Sequence, residues 1–216
     1  MFKFQGMWLP DGEQHFPDWM KRNGEIVNGR GTYQIKKFRE AMKHVRQFRT
    51  AIDVGAHVGF WSIQMAQRFE EVKAFEPIKE FRECFRTNLS SIENLHLFEQ
   101  ALGAEQGVVC IAYDPADSGG THVAKTGREA VVNTLDWYAF TAVDFIKIDC
   151  EGYELEVLKG ARETIEGNKP TIIVEQKPHK LEANYGTKGA PAVEYLKAMG
   201  YTVAREMSGD YIMVPK

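Results

Sequence analysis

Ala51-Ile52-Asp53-Val54-Gly55-Ala56-His57-Val58-Gly59-Phe60 is the stretch that decides the fold. Ala51 to Val54 form a short apolar run, and Phe60 to Phe69 open a helical pattern with Ile63, Met65 and Ala66 on one side. Strand, glycine turn and helix make the layout of a nucleotide pocket. The spacing D-x-G-x-x-x-G differs from the G-x-G-x-x-G that holds a dinucleotide pyrophosphate at a helix N-terminus. A carboxylate at Asp53 would repel a pyrophosphate, whereas S-adenosylmethionine has no phosphate and carries an ammonium and a sulfonium. The loop therefore points to S-adenosylmethionine as the cofactor.

Val72-Lys73-Ala74-Phe75-Glu76 reads as a second strand ending in an acid 23 residues after Asp53. A carboxylate about 20 residues past a glycine loop is placed to accept both ribose hydroxyls. The alternative readings are local: Asp53 as the cap of the following helix, Glu76 as a surface acid before Pro77. His57 reads as a loop residue rather than a base.

From Ala51 onward strands and helices alternate. A helix spans about Ile78 to Leu89, with strands at Leu95 to Glu99 and Val143 to Asp149 and a β-rich section between them from Val108 to Thr134. Leu155, Leu158, Ala161 and Ile165 mark one further helix, Thr171 to Glu175 a strand, and Ala192 to Met199 a helix. Tyr201–Arg205 and Tyr211–Val214, joined by a turn at Ser208-Gly209-Asp210, can only pair antiparallel. The expected fold is a single α/β domain, a Rossmann-like doubly wound sheet, mostly parallel with one reversed strand near the C-terminus, binding ligands at the strands' carboxyl ends.

The composition is compatible with this. A chain of 216 residues, 44% hydrophobic, can bury a substantial core. No apolar run approaches the roughly 20 residues needed to span a bilayer, and residues 1–6 lack a signal-peptide core. Cys84, Cys110 and Cys150 are odd in number and far apart, which fits neither a metal motif nor a disulfide framework and suggests the cytoplasm. Lys21 to Arg49 holds nine Lys or Arg against Glu25 and Glu40. Lys36, Lys37, Arg39, Lys43, Arg46 and Arg49 fit the solvated face of one helix with Ile35, Phe38, Met42 and Val45 inward, and a basic patch for an anionic substrate is the alternative.

At the carboxyl ends, Lys147 and Asp149 share one face of their strand and Ile146 and Ile148 the other. The next strand ends in Glu175-Gln176-Lys177-Pro178-His179. Methyl transfer is an in-line displacement that requires an aligned acceptor and removal of its proton, and Asp149, Glu175 and His179 are the candidates for that work. Helix capping before Leu155 is the alternative role for Asp149 to Glu151. Asp117-Ser118-Gly119-Gly120-Thr121-His122 reads as a surface turn, or as a flap on the substrate side.

From about Tyr33 to Lys180 the sequence resembles the FkbM family of S-adenosylmethionine-dependent methyltransferases, of class I fold. The resemblance rests on Ile52 to Gly59, on Ala74-Phe75-Glu76-Pro77, and above all on Asp144-Phe145-Ile146-Lys147-Ile148-Asp149-Cys150-Glu151-Gly152-Tyr153-Glu154 running into Val157 to Ala161. His57 stands where many members have asparagine, and Cys150 where valine is usual. The resemblance implies O-methylation of a hydroxyl on a sugar, glycan or other small molecule. It implies that Asp53, Gly55 and Gly59 line the methionine end of the cofactor, with Ala56 and His57 of the same loop beside it. Glu76 would hold the ribose, Ala101 and Leu102 flank the adenine, and Asp149 face the methyl group; Lys147, on the same strand face, can keep Asp149 ionised.

The expected organisation is an N-terminal extension (1–33), a leading helix (34–50), a cofactor-binding core (51–180) and a C-terminal helix and strand pair (181–216). Two other functions are compatible with these residues. One is a nucleic-acid methyltransferase using the basic 21–49 face, although an Asn/Asp-Pro-Pro-Tyr block for methylating base amino groups is absent. The other is a catalytically silent cofactor-binding module.

Overall fold

In the computed structural model, which describes residues 1–216, the apolar runs assemble into one seven-stranded sheet. Its strands are β1 (Thr50–Val54), β2 (Glu71–Phe75), β3 (Leu95–Phe98), β4 (Val143–Ile148), β5 (Thr171–Glu175), β6 (Tyr201–Met207) and β7 (Asp210–Pro215). Across the sheet they lie in the order β6-β7-β5-β4-β1-β2-β3. Strands β5 through β3 pair in parallel, and β7 runs antiparallel to both β5 and β6. The reversal is made by Ser208-Gly209, both at positive φ, the backbone that a two-residue hairpin turn requires.

Eight helices accompany the sheet: α1 (His15–Asn23), α2 (Ile35–Met42), α3 (Phe60–Ala66), α4 (Lys79–Asn88), α5 (Glu154–Lys159), α6 (Arg162–Asn168), α7 (Pro178–Tyr185) and α8 (Pro191–Ala198). Every residue of β1 and β5 is buried, because both faces of the sheet are covered. Ile52, Val54, Ile146, Ile148, Ile172 and Val174 pack with Val157, Leu158, Ile165 and Leu196. On the opposite face Ala51, Phe145 and Ile173 pack with Phe38, Met42, Trp61 and Met65. The period-two alternation puts Asp53 and Lys147 on this second face.

Three elements differ from the sequence reading. The leading helix stops at Met42 rather than near residue 50, so Arg46 and Arg49 lie beyond it, and Arg49 pairs with Asp144 at 2.5 Å. The helix expected over Leu155–Ile165 is two helices, broken at Gly160-Ala161. An added Cβ on Gly160 would collide with the Gly103 carbonyl, and the Gly160 carbonyl accepts the Asp136 N–H at 2.9 Å, so that glycine serves a close backbone crossing. The third is α7, which starts at Pro178 and straddles the boundary drawn at residue 180. Proline suits the first turn of a helix because its missing N–H would have no partner there.

The β-rich section forms its own sheet from Ala101–Leu102, Gly107–Ala112, His122–Ala124 and Arg128–Asn133. The N-terminal hairpin Phe2–Phe4/Met7–Leu9 and α1 close over α3 and α4 through Met7, Leu9, Phe16, Met20, Phe60, Ile63 and Phe85. All three cysteines are free, and no helix is long and apolar enough to cross a membrane.

Candidate active site

A cavity opens at the carboxyl ends of β1, β2 and β4, where a doubly wound sheet binds its ligands. Its walls take Gly55, Ala56 and His57 from the loop after β1, Glu76 from the end of β2, Gln100 to Leu102 from beyond β3, and Asp149, Cys150 and Glu151 from beyond β4. The N-terminal extension contributes Phe16 and Tyr33, and the insert contributes Ser118, Gly119 and Thr121 to Val123.

Asp53 and Gly59, expected at the methionine end, stand outside these walls. Asp53 is 0% exposed and accepts the Ser62 hydroxyl at 2.6 Å. The β1–β4 register sets Lys147 opposite it, with the ammonium 3.3 Å from Asp53 and 3.9 Å from Asp149. Lys147 also donates to the Gly55 carbonyl at 2.8 Å. Asp53 thus acts on the cavity through Lys147. Gly59, at φ 95°, lets Phe85 and Leu89 of the α4 segment approach where a Cβ would stand. Burial works against the Lys147 charge, but Asp53 and Asp149 outweigh it and hold the ammonium above its ordinary range.

Gly55 has φ +74°, and an added Cβ would strike the Asp149 carbonyl. Gly55→Ala is expected to destabilise the chain by at least about 1–3 kcal/mol, the usual range for a strained backbone position, as a drop in the denaturant midpoint would register.

The Glu76 carboxylate accepts the His57 N–H at 2.8 Å on one oxygen and the Ile78 N–H at 2.8 Å on the other. A carboxylate has about four acceptor sites, so each oxygen retains one. Burial pushes Glu76 up to about 7, against the pull of those two hydrogen bonds.

After β4 the chain turns through Glu151 (φ 53°) and Gly152 (φ 110°). One oxygen of buried Glu154 accepts the Cys150 and Gly152 N–H groups at 3.0 and 2.9 Å, and the other takes the Gln176 amide at 2.9 Å. Glu154 therefore clamps the turn that presents Asp149 and Glu151, a structural duty for the last acid of the specific block.

Asp149, Glu151 and Glu175 bring carboxylate oxygens within 4.8 Å of one another, close enough for a cation. Lysine ammoniums already stand there: Lys180 pairs with Glu151 and Lys177 with Glu175. Burial opposes the charge of Asp149, yet Lys147, Lys177 and Lys180 hold its carboxyl below the usual range. Burial and the neighbouring Asp149 raise Glu151 to about 8 and Glu175 to about 7. Within the cluster Asp149 is the acid held most firmly in its ionised form, and Glu151 and Glu175 are the more readily protonated.

Glu175 is buried beside this cluster but outside the cavity wall, and His179 is exposed in the first turn of α7, away from the expected site. Sequence reasoning missed Phe16, Tyr33, Lys177 and Lys180, and it reached Ser118 only through the alternative reading of its segment as a substrate-side flap. The two lysines were legible as i, i+3 partners once a helix at Pro178 was assumed; the aromatic residues gave no signal beyond their abundance in the extension. Ser118 is 1% exposed, so its segment is not the surface turn expected.

Five of the nine basic residues of the stretch pair with acids. Lys21 pairs with Asp18, Lys37 with Asp210, Arg39 with Glu25, Lys43 with Glu40 and Arg49 with Asp144.

The strand order, the reversed β7 and the glycine loop with acids at its carboxyl edge define a class I methyltransferase, a class whose methyl donor is S-adenosylmethionine. The methyltransferase FkbM domain matches residues 53–203, more than half of the chain, and the chain belongs to that family. Among solved structures it is similar to the methyltransferase FkbM from Methylobacillus flagellatus KT, at 20% identity and TM-score 0.53, over 77% of this chain and 43% of that one. This chain thus spans less than half the length of that relative. It is also similar to the precorrin-6y C5,15-methyltransferase from Geobacter metallireducens GS-15, at 16% identity and TM-score 0.52, covering 84% and 87% of the two chains. A Streptococcus mutans protein in complex with SAH matches at 10% identity and TM-score 0.51, over 84% and 96%. No curated protein matches the sequence. At these identities the likenesses carry the fold, and the acceptor must be argued from the site.

Proposed function

We propose that the chain transfers a methyl group from S-adenosylmethionine to a hydroxyl of a small molecule, a sugar or glycan being the preferred class. The observation that carries this reading is Asp149 at the wall of a cavity that has Glu76 on another side, its carboxylate 3.9 Å from the buried Lys147 ammonium. The residues fit the cofactor: Glu76 has one unused acceptor site on each oxygen for a ribose diol, and His57 Nδ1 is buried without a partner. In this reading Ala101 and Leu102 flank the adenine and Asp149 accepts the hydroxyl proton as the new C–O bond forms, with Lys147 holding Asp149 ionised. Residues 1–33 act as a cover, since Phe16 and Tyr33 close one wall. The free volume of about 130 Å³ is below the roughly 300 Å³ at the small end of ligand clefts, so this cover or the insert moves outward on binding.

The test offers methyl-labelled S-adenosylmethionine with a panel of hydroxylated small molecules and, separately, RNA. Label in a small-molecule ether supports the reading; label in RNA alone, or none at all, overturns it. Binding has its own signature. Only ionised Glu76 accepts two ribose hydroxyls, so affinity for S-adenosylhomocysteine is expected to weaken as pH falls below about 7, by up to about ten-fold per pH unit, and to level off above. Glu76→Gln is expected to bind more weakly and to lose that slope in calorimetry.

A further inference from the structure

Three segments distant in the chain meet at Ser118. Its backbone N–H donates to the Glu13 carboxylate at 3.0 Å, and its hydroxyl is hydrogen-bonded to the same oxygen. The other Glu13 oxygen accepts the Phe16 N–H at 2.9 Å, so this carboxylate serves throughout as acceptor. A serine hydroxyl has one proton to give, and Glu13 takes it. Only lone pairs then face His57 Nε2, 2.8 Å from the hydroxyl oxygen, and His57 must carry its proton on Nε2. Burial and the Lys147 charge keep the imidazole neutral, pulled down to about 3. Nδ1 is therefore an acceptor. It is buried, has no partner, and belongs to a ring held against Phe16 and Phe81 at centroid distances of 4.8 and 4.2 Å in the cavity wall. A buried acceptor without a donor is unfavourable, and a ligand that brings one relieves it.

We propose that Glu13 and Ser118 are positioning residues that fix His57 as the Nε2–H tautomer, so that Nδ1 receives an ammonium hydrogen of the bound S-adenosyl ligand, whose two ribose hydroxyl hydrogens go to Glu76. The inference rests on reading the cavity as an S-adenosylmethionine site. It makes ligand affinity depend on the N-terminal segment and on the insert, which are joined to the cofactor loop by this relay.

Nitrogen-15 spectra of histidine-labelled full-length protein without ligand read the tautomer. Wild type is expected to show an unprotonated Nδ1, Ser118→Ala a mixture of tautomers, and Ser118→Thr the wild-type pattern. In calorimetry with S-adenosylhomocysteine, Ser118→Ala is expected to bind more weakly by the inverse of the Nε2–H fraction its spectra show, about two-fold for an even mixture. His57→Asn offers an acceptor oxygen near the Nδ1 position without needing Ser118, so adding Ser118→Ala to it should change affinity little. Repeating the series with 5′-methylthioadenosine, which keeps the ribose hydroxyls and lacks the ammonium, tests the donor: the loss is expected to vanish, and a persisting loss overturns the ammonium assignment. A wild-type tautomer in Ser118→Ala, or an equal loss in both backgrounds, overturns the proposal. If wild type fails to bind S-adenosylhomocysteine, the cofactor reading falls and the ligand half of this proposal with it, while the spectra still decide the positioning role.

Discussion

Asp149→Asn is expected to keep the fold and lose about 10²–10⁴-fold in methyl-transfer turnover, the usual range for a positioned base. The amide has nearly the shape of the carboxylate, and Lys147 keeps Asp53 as its nearer partner at 3.3 Å, so the fold should survive with some loss of stability. What changes is the charge. Asp149 is the acid that Lys147, Lys177 and Lys180 keep ionised, while Glu151 and Glu175 hold protons to about 8 and 7. An asparagine cannot accept the hydroxyl proton, and with the negative charge gone the repulsion that raises Glu151 and Glu175 weakens. Residual activity in the variant should then come from these two acids, and the rising limb of its pH profile should lie at higher pH than in wild type, because burial still raises both carboxyls whereas Asp149 ionises below the usual range. Glu175→Gln is the next most damaging change expected, because Glu175 is buried within reach of Asp149. His179→Ala should be close to neutral, since its ring is exposed on α7. The measurement is single-turnover transfer to an acceptor found in the labelled screen. Wild-type turnover in Asp149→Asn would place the base elsewhere.

Much of this site was legible in the sequence because the signals were local. The period-two alternation that joins Lys147 to Asp149, and the acids that end β2 and β4, are properties of single strands. The parallel order and the one reversed strand followed from helix-length spacers and a two-residue turn. What the sequence did not show came from contacts between remote segments. Asp53 reads as a ligand-facing acid from its loop, and only the β1–β4 register reveals that Lys147 lies between it and the cavity. Glu13, Phe16 and Tyr33 sit in an extension outside the family pattern, and a patternless segment gives no clue to the wall it completes. Gly119 and Gly120 suggested an exposed turn, whereas Ser118 beside them is held by partners 105 and 61 residues away.

Asp53→Ala is expected to act first on stability, lowering it by about 3 kcal/mol or more, the low end of what is lost when one partner of a buried ion pair is removed. Lys147 is 5% exposed, at the wall of the cavity. After the substitution its ammonium would keep only Asp149, at 3.9 Å, and two backbone carbonyls. Because Lys147 donates to the Gly55 carbonyl, its displacement also disturbs the loop, and affinity for S-adenosylhomocysteine should fall although Asp53 touches no part of the cavity. The two roles can be separated. Replacing the lysine as well, in Asp53→Ala/Lys147→Met, removes the unpaired charge and is expected to recover much of the stability, as apolar replacements of buried pairs often do. The double variant should nevertheless remain poor in turnover, since Asp149 would then lack its closest cation. Chemical denaturation of wild type, both single variants and the double variant gives the coupling energy directly. Wild-type stability in Asp53→Ala would sink the buried-pair account, and a loss of affinity with no loss of stability would return Asp53 to direct contact with the ligand.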